Sequence, residues 1–321
     1  MNALFNDAAE PSPAELTGRL ATTRTSTGAV ESFQWVSAFT RMFLWDGERS
    51  MMDVAVSEFD VEPRHFEASV KFSRDELADE NNLGAMTDAI QSRVNAFPQE
   101  REYLMAERLA KGFTQLSMYD GADSFFGTEH PVYEWDGDAG EAVAVESEYA
   151  NVPLNDSGNA DLFDLAANLK TADRIVDEIE RMNTFRSLNG VIIGVEPNLM
   201  IVPPTRRKEA QKLVNNDEIL DESAGEMRPN PLSSIIDEVY VEPRLAAHGM
   251  DAGFIVTDTE TQGLHPAIYL LRQDLRTESA GPNSDFAAIN NEVVYGADAR
   301  FEIFLGSPQA FIGSDGSNGT L

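Results

Sequence analysis

Four histidines, two acidic turns, one basic cluster and a few scattered lysines are the residues of this chain whose types and spacing could carry chemistry. His65, His130, His248 and His265 fall in neither H-E-x-x-H nor any other ligand spacing, which argues against a zinc hydrolase. His130, between Glu129 and Pro131, would be a general base or, more simply, a loop histidine bonded to a backbone carbonyl. Asp136-Gly-Asp138-Ala-Gly140-Glu141 and Asp258-Thr-Glu260-Thr-Gln262-Gly263 resemble the start of calcium loops. Neither supplies the bidentate glutamate that position twelve requires, so both read as solvated acidic turns. Arg206-Arg207-Lys208 is the densest basic run; it would touch DNA or, beside so many acids, an ion-pair partner on a second subunit. A nucleophile elbow, a P-loop and a dinucleotide glycine fingerprint are all missing. No catalytic residue, metal or cofactor is expected.

Composition bounds the rest. The chain has 321 residues, enough for one large or two medium domains, and 42% of them are hydrophobic, which is globular. It has no cysteine, hence no disulfide and no thiolate metal site. Acidic residues number 55 against 24 basic ones, a net charge of −31, and only Lys71, Lys111, Lys170, Lys208 and Lys212 are lysines. Such a field repels phosphates and excludes a nucleic-acid-wrapping role. It fits either a lysine-poor surface adapted to high salt or an ordinary acidic protein. No apolar run approaches the roughly 18 residues of a membrane span, and Met1 to Glu10 lack the basic start and apolar core of a signal peptide. A soluble protein made inside a cell is expected.

The elements that must position these residues follow from periodicity. Residues 1–30 are small and polar without a period and read as an extended arm or a disordered terminus. Between Phe33 and Asp60 aromatic residues are dense. Val54 and Val56 alternate with polar residues, Val61-Glu-Pro-Arg-His65 reads as a turn, and Phe66, Ala68, Val70 and Phe72 share one face, which predicts a hairpin. An isolated hairpin is marginal in water, so it must pack on its own domain or a neighbour. Ser73-Arg-Asp-Glu76 is a capping box. Leu83, Met86, Ile90, Val94 and Phe97 follow helical spacing, continued by Leu104, Leu109, Phe113 and Leu116 beyond Pro98, a break or a second helix start. Residues 133–160 read as an acidic loop region, 162–189 as a helix ending near Asn189-Gly190, and Val191–Val195 and Leu199–Val202 as buried strands. A helix from Arg206 to Val214 and strands at 235–241, 253–257, 267–271 and 291–305 complete an α+β chain.

The order Trp45-x-Gly-Glu-Arg49, Phe66-Glu-x-Ser-Val70-x-Phe72-Ser-Arg-Asp-Glu-Leu77, Asn82-Leu-Gly84 and Tyr119-Asp-Gly-Ala-Asp-Ser-Phe-Phe126-Gly-Thr-Glu-His130-Pro-Val132 resembles the major head subunit of Mu-like tailed phages, the gpT family. The likeness is weaker at Pro197–Pro204 and faint at Tyr295–Arg300. It implies a Hong Kong 97-like fold: an N-terminal arm (1–42), an E-loop hairpin (43–72), a peripheral domain with a long spine helix (73–150 and 285–321) and an axial domain (151–284). It also implies a major capsid protein of the virion, assembled in the host cytoplasm into hexamers and pentamers of an icosahedral shell. That shell would enclose double-stranded DNA without reading its sequence, with portal, scaffold and decoration proteins as partners and no membrane. Trp45, Arg49, Phe66 and Phe72 are the expected intersubunit contacts; the first two are of types enriched at interface hot spots. Two alternatives stand beside this: an encapsulin-like nanocompartment shell, and an acidic, salt-adapted soluble enzyme. Some relatives with this fold crosslink lysine to asparagine; Lys71, alone on its strand, reads as a solvated charge instead.

Overall fold

Short apolar runs between Gly, Pro and Asn turns become strands, and the pattern from Leu83 onward becomes one long helix. The computed structural model describes residues 15–36, 56–78, 83–122, 124–136, 141–155, 157–163 and 165–317. In chain order the elements are α1 (Glu15–Leu20), β1 (Ala21–Thr25), β2 (Glu31–Val36), β3 (Val56–Val61), β4 (Arg64–Ser73), α2 (Arg74–Ala78), α3 (Leu83–Lys111), β5 (His130–Asp136) and β6 (Glu141–Tyr149). Then come α4 (Leu169–Met182), β7 (Leu199–Val202), a 3-10 turn (Pro204–Arg206), α5 (Arg207–Asn215), β8 (Glu218–Asp221), β9 (Glu226–Pro229) and β10 (Glu238–Val241). The last elements are α6 (Arg244–Ala247), β11 (Phe254–Thr257), β12 (Ala267–Ala280), α7 (Asp285–Asn290), β13 (Glu292–Leu305), a 3-10 turn (Pro308–Ala310) and β14 (Phe311–Ser314). The chain divides into two compact units.

The first unit (Met1–Glu31, Asp60–Met105, Tyr269–Ile303) holds the sheet β1-β12-β13-β4. β4 runs antiparallel to β13 from Ser73 opposite Glu292 to Arg64 opposite Phe301. As the period-two pattern predicts, Phe66, Ala68, Val70 and Phe72 are half-buried and alternate with exposed Glu67, Ser69 and Lys71. Phe66 stacks on Phe301 at 4.5 Å, and Phe72 lies 6.4 Å from Tyr295. Acids on β13 are matched across strands. Glu302 accepts from Arg64 at 2.5 and 2.8 Å, and Glu292 pairs with Lys71 at 2.8 Å. Asp298 accepts from Gln273 at 2.6 Å and Arg276 at 3.2 Å, with His65 at 3.3 Å. Burial works against the Asp298 charge, but Arg276 and Gln273, helped by His65, hold its carboxyl below the usual range. The capping box forms: Ser73 N–H donates to Glu76 at 2.9 Å and Glu76 N–H to Ser73 at 3.0 Å.

Several expectations need correction. β3 and β4 do not form a hairpin across Val61–His65; β3 pairs with β2, and β4 crosses to β13. The stretch read as an arm is docked from residue 15 on. β1 pairs with β12, and the N–H groups of Leu16 and Thr17 donate to the Glu102 carboxylate at 3.1 and 2.9 Å, filling orphan donors of α1. Pro98 neither breaks nor restarts α3, which runs 29 residues through it. Proline carries no N–H and so leaves one helical hydrogen bond unmade, a loss the buried Val94, Phe97, Leu104 and Met105 offset. Residues 133–160 are not all loop, since β5 and β6 pair antiparallel. Residues 165–168 are not helical either: Asn168 caps α4 by accepting from Thr171 N–H at 2.9 Å, and the helix stops at Met182. Val191–Val195 forms no strand, only an isolated bridge between Ile192 and Arg186.

The second unit (Ser32–Phe59, Ala106–Ile268, Phe304–Leu321) is built on the sheet β10-β7-β11-β14. β7 is parallel to β10 and antiparallel to β11, and all four of its residues are buried. One core joins Ala172, Ile175 and Ile179 of α4 to Ala210, Leu213 and Val214 of α5, over Met200, Val202, Phe254 and Val256. Both helices therefore cover the same sheet face. α4 packs on β14 at one edge and α5 on β10 at the other.

Candidate functional site

The segment that follows α3 is held by an aromatic wedge and a buried polar cluster. Phe126 stacks on Phe113 at 4.4 Å and meets Phe125 and Phe311 edge-on. Gly112 and Gly313 flank it: a Cβ on either would come within 2.8 Å of the Phe126 ring. Only a residue without a side chain leaves room for that ring.

Beside the wedge lies His130, fully buried. Its Nδ1 is 2.7 Å from Asp120 Oδ2, and its Nε2 is 3.1 Å from the Phe125 carbonyl and 3.2 Å from Asn151 Oδ1. The Asn151 amide orientation is set by its neighbours: Oδ1 accepts from Gly127 N–H at 2.8 Å, and Nδ2 donates to the Phe125 carbonyl at 2.8 Å. Oxygen atoms thus face both nitrogens of the imidazole. Tyr149 stacks over it at 4.9 Å. Burial works against the Asp120 charge, but the hydrogen bond and charge of His130, with Ser117, hold its carboxyl below the usual range. Burial, with Asp120 close by, pushes the Tyr119 and Tyr149 phenols well up.

This arrangement fastens one stretch of chain to another. The Asn151 backbone accepts from Gly313 N–H at 3.0 Å and donates to the Gly127 carbonyl at 3.0 Å, so β14, the β6 exit and the Phe-Phe turn close on one residue. The carbonyl-bonded reading of His130 is what the structure shows; the Asp120 and Asn151 partners were not legible. A general base needs its proton acceptor free and reachable, and here it is enclosed.

The other candidates resolve as follows. Asp258 is buried and accepts from Glu196, Glu260 and Thr261 N–H groups at 2.9 Å each, so it organises its own turn. Most of the 136–141 loop lies outside the described residues. Among the described residues no three His, Cys, Asp or Glu side chains gather as metal ligands. Trp45 and Arg49 lie outside the described residues, whereas Phe66 and Phe72 line the half-buried face of β4. Arg206 closes the 3-10 turn, and Arg207 and Lys208 stand exposed on α5. A cavity of about 520 Å³ opens between β5, β6 and the end of α4, lined by Val132, Tyr149, Leu154, Arg181, Phe185 and Ile192, with no acid–base pair of catalytic geometry.

A family model described as Mu-like prophage major head subunit gpT matches residues 1–160 and 161–242. The chain belongs to that family. The major capsid protein of Escherichia phage Mu is 29% identical over 129 residues, 40% of this chain and 41% of that one. The chain spans about two fifths of the length of the curated relatives it matches. Among solved structures, the procapsid of bacteriophage JBD30 superposes with a TM-score of 0.56 at 19% identity, covering 98% of this chain and 71% of that one. The capsid of the cyanophage P-SCSP1u gives 0.53 at 13% identity, over 92% and 85%. These likenesses carry the fold, the mixed helix-and-sheet Hong Kong 97-like architecture expected from the sequence.

Within the gpT match, the Tyr119–Val132 string that marks this chain coincides with the wedge and the buried cluster. Its residues are there for internal architecture. What sequence reasoning missed is Asn151, an asparagine with no motif of its own, 21 residues beyond its histidine partner. The Phe-Phe pair and the glycines around it were the available signal.

Proposed function

We propose that this chain is the major capsid protein of a tailed phage, a virion component that self-assembles into an icosahedral head around double-stranded DNA. The observation that carries the reading is the gpT family match across residues 1–242. The unit with the β1-β12-β13-β4 sheet and most of α3 serves as the peripheral domain, and the unit with the β10-β7-β11-β14 sheet as the axial one. The E-loop is then the segment that carries the β2–β3 pair. Trp45 and Arg49, together with Phe66 and Phe72 of β4, serve intersubunit contacts. Hexamers and pentamers of the chain form the shell, with portal, scaffold and decoration proteins as further partners. The enclosed DNA lies against a net charge of −31 per subunit and is not read by sequence.

Negative-stain microscopy and size exclusion of the purified protein test this. Megadalton shells are expected, and a small uniform oligomer overturns the reading. Trp45→Ala and Arg49→Ala should leave a folded subunit that assembles poorly; normal shells of wild-type heat resistance from either would remove these residues from the interface.

A further inference from the structure

In the second unit the charges of two exposed helix faces are opposite in sign and unanswered. On α4, Asp173, Asp177 and Glu180 are exposed at spacings of four and three, a single stripe. Lys170 is the one base on that face, and no ion pair joins it to another described residue. The neighbouring hairpin β8–β9 adds exposed Glu218, Glu222 and Glu226, with Asp221 tied to Arg228 at 3.0 Å. Slight burial, then the charges of Asp177 and Asp221, push the Asp173 carboxyl above its usual value. On α5, Arg207, Lys208 and Lys212 are exposed opposite buried Ala210, Leu213 and Val214. No ion pair joins these three to another described residue, although Lys71 and Lys111 each hold one. Asp173–Asp177 and Lys208–Lys212 are both like-charge pairs one turn apart, which weakens each helix by itself. A chain with five lysines that sets two of them together and leaves both unmatched keeps them for something outside its own fold.

The two stripes lie over opposite edges of one sheet, α5 by β10 and α4 by β14. Next to the acidic stripe, the cross-strand pair Leu220 and Met227 is 43% and 56% exposed, an apolar patch rimmed by charge. We propose that the basic face of α5 in one copy docks on the acidic face of α4 and the β8–β9 hairpin in the next copy. The contact is heterologous, two different surfaces of one chain, and such contacts close rings when the rotation permits. The occupant is a second copy because the complementary surface is present on the chain itself, while a net charge of −31 turns DNA away from α5. This inference rests on the capsid reading and names the surfaces by which axial units meet.

The test is a charge exchange in the full-length chain. Lys208→Glu with Lys212→Glu, and separately Asp173→Lys with Asp177→Lys, should each lower particle yield at least tenfold while melting temperature and circular dichroism stay at wild-type values. All four substitutions together should restore yield to within about twofold, because the attraction is rebuilt with reversed sign. Wild-type yield from either double variant overturns the contact, as does a fourfold variant no better than the doubles. Normal shells from the Lys208→Glu, Lys212→Glu variant that package less DNA would assign α5 to nucleic acid instead. If the wild-type chain forms no shells, the capsid reading falls separately. Sedimentation of the same variants then still reads the contact: wild-type self-association that charge reversal leaves unchanged overturns it.

Discussion

The two units handle the same excess of acid in opposite ways. On β13 of the first unit, Glu292, Asp298 and Glu302 each face a base or amide on a neighbouring strand. In the second unit the Asp120–His130 pair is fully buried, whereas Asp173, Asp177 and Glu180 of α4 and Glu218, Glu222 and Glu226 on and between β8 and β9 are exposed. Cross-strand pairing is local and half-wet, so it is worth little per pair and tolerates losses. A buried pair has no water to fall back on, so its loss is severe. The first unit should therefore degrade gradually under mutation, and the second should fail at a point.

The largest effect should come from His130→Ala, which leaves Asp120 buried without its partner. A loss of roughly 3–5 kcal/mol is expected in urea unfolding, and a change under 1 kcal/mol would break the contrast. Salt comes next. The Debye length grows from ~3 Å at 1 M to ~8 Å at physiological ionic strength, so long-range repulsion between subunits strengthens on dilution, while charges in direct contact are screened less. Dialysis from molar to millimolar salt should lower the light scattering of assembled particles. Intact shells with an unchanged melting temperature would dismiss a saline adaptation without touching the family assignment.

Acid should act on both units with the same sign. The Asp120 and Asp298 carboxyls are lowered in the folded chain. Each adds stability that is fully present above the ordinary aspartate value of about 3.9 and lost as pH falls through the lowered one. The melting temperature should drop below about pH 4, and Asp120→Asn should flatten that drop more than Asp298→Asn, since Arg276 beside Asp298 is more than half exposed. The smallest effect belongs to Lys71→Ala: its pair with Glu292 is exposed, so thermal melting should not move. Mature particles should run as single subunits on denaturing gels; covalent ladders would give Lys71 a role the sheet does not suggest.

Local signals were legible in the sequence and distant partners were not. The alternation of Phe66 to Phe72 placed β4 and its buried face, and Ser73-Arg-Asp-Glu76 placed the start of α2, because both patterns reside within ten residues. The partner of β4 lies more than two hundred residues away, and a Pro-containing turn at Val61–His65 looks the same whether the chain doubles back or crosses to another sheet. The β5–β6 pair was hidden by the Gly and Asp composition of its tip. His130 was seen and its carbonyl bond expected, yet Asp120 and Asn151 carry no spacing rule that would have joined them to it.

The stripes on α4 and α5 give each copy a plus side and a minus side, and a ring of such copies has a parity. Mix subunits whose basic face has been made acidic with subunits whose acidic face has been made basic, and the two kinds can alternate only where the count is even. Six places satisfy every junction; five leave at least one junction between like charges. Such a mixture should grow hexagonal tubes or sheets and stall wherever a fivefold corner is needed to close.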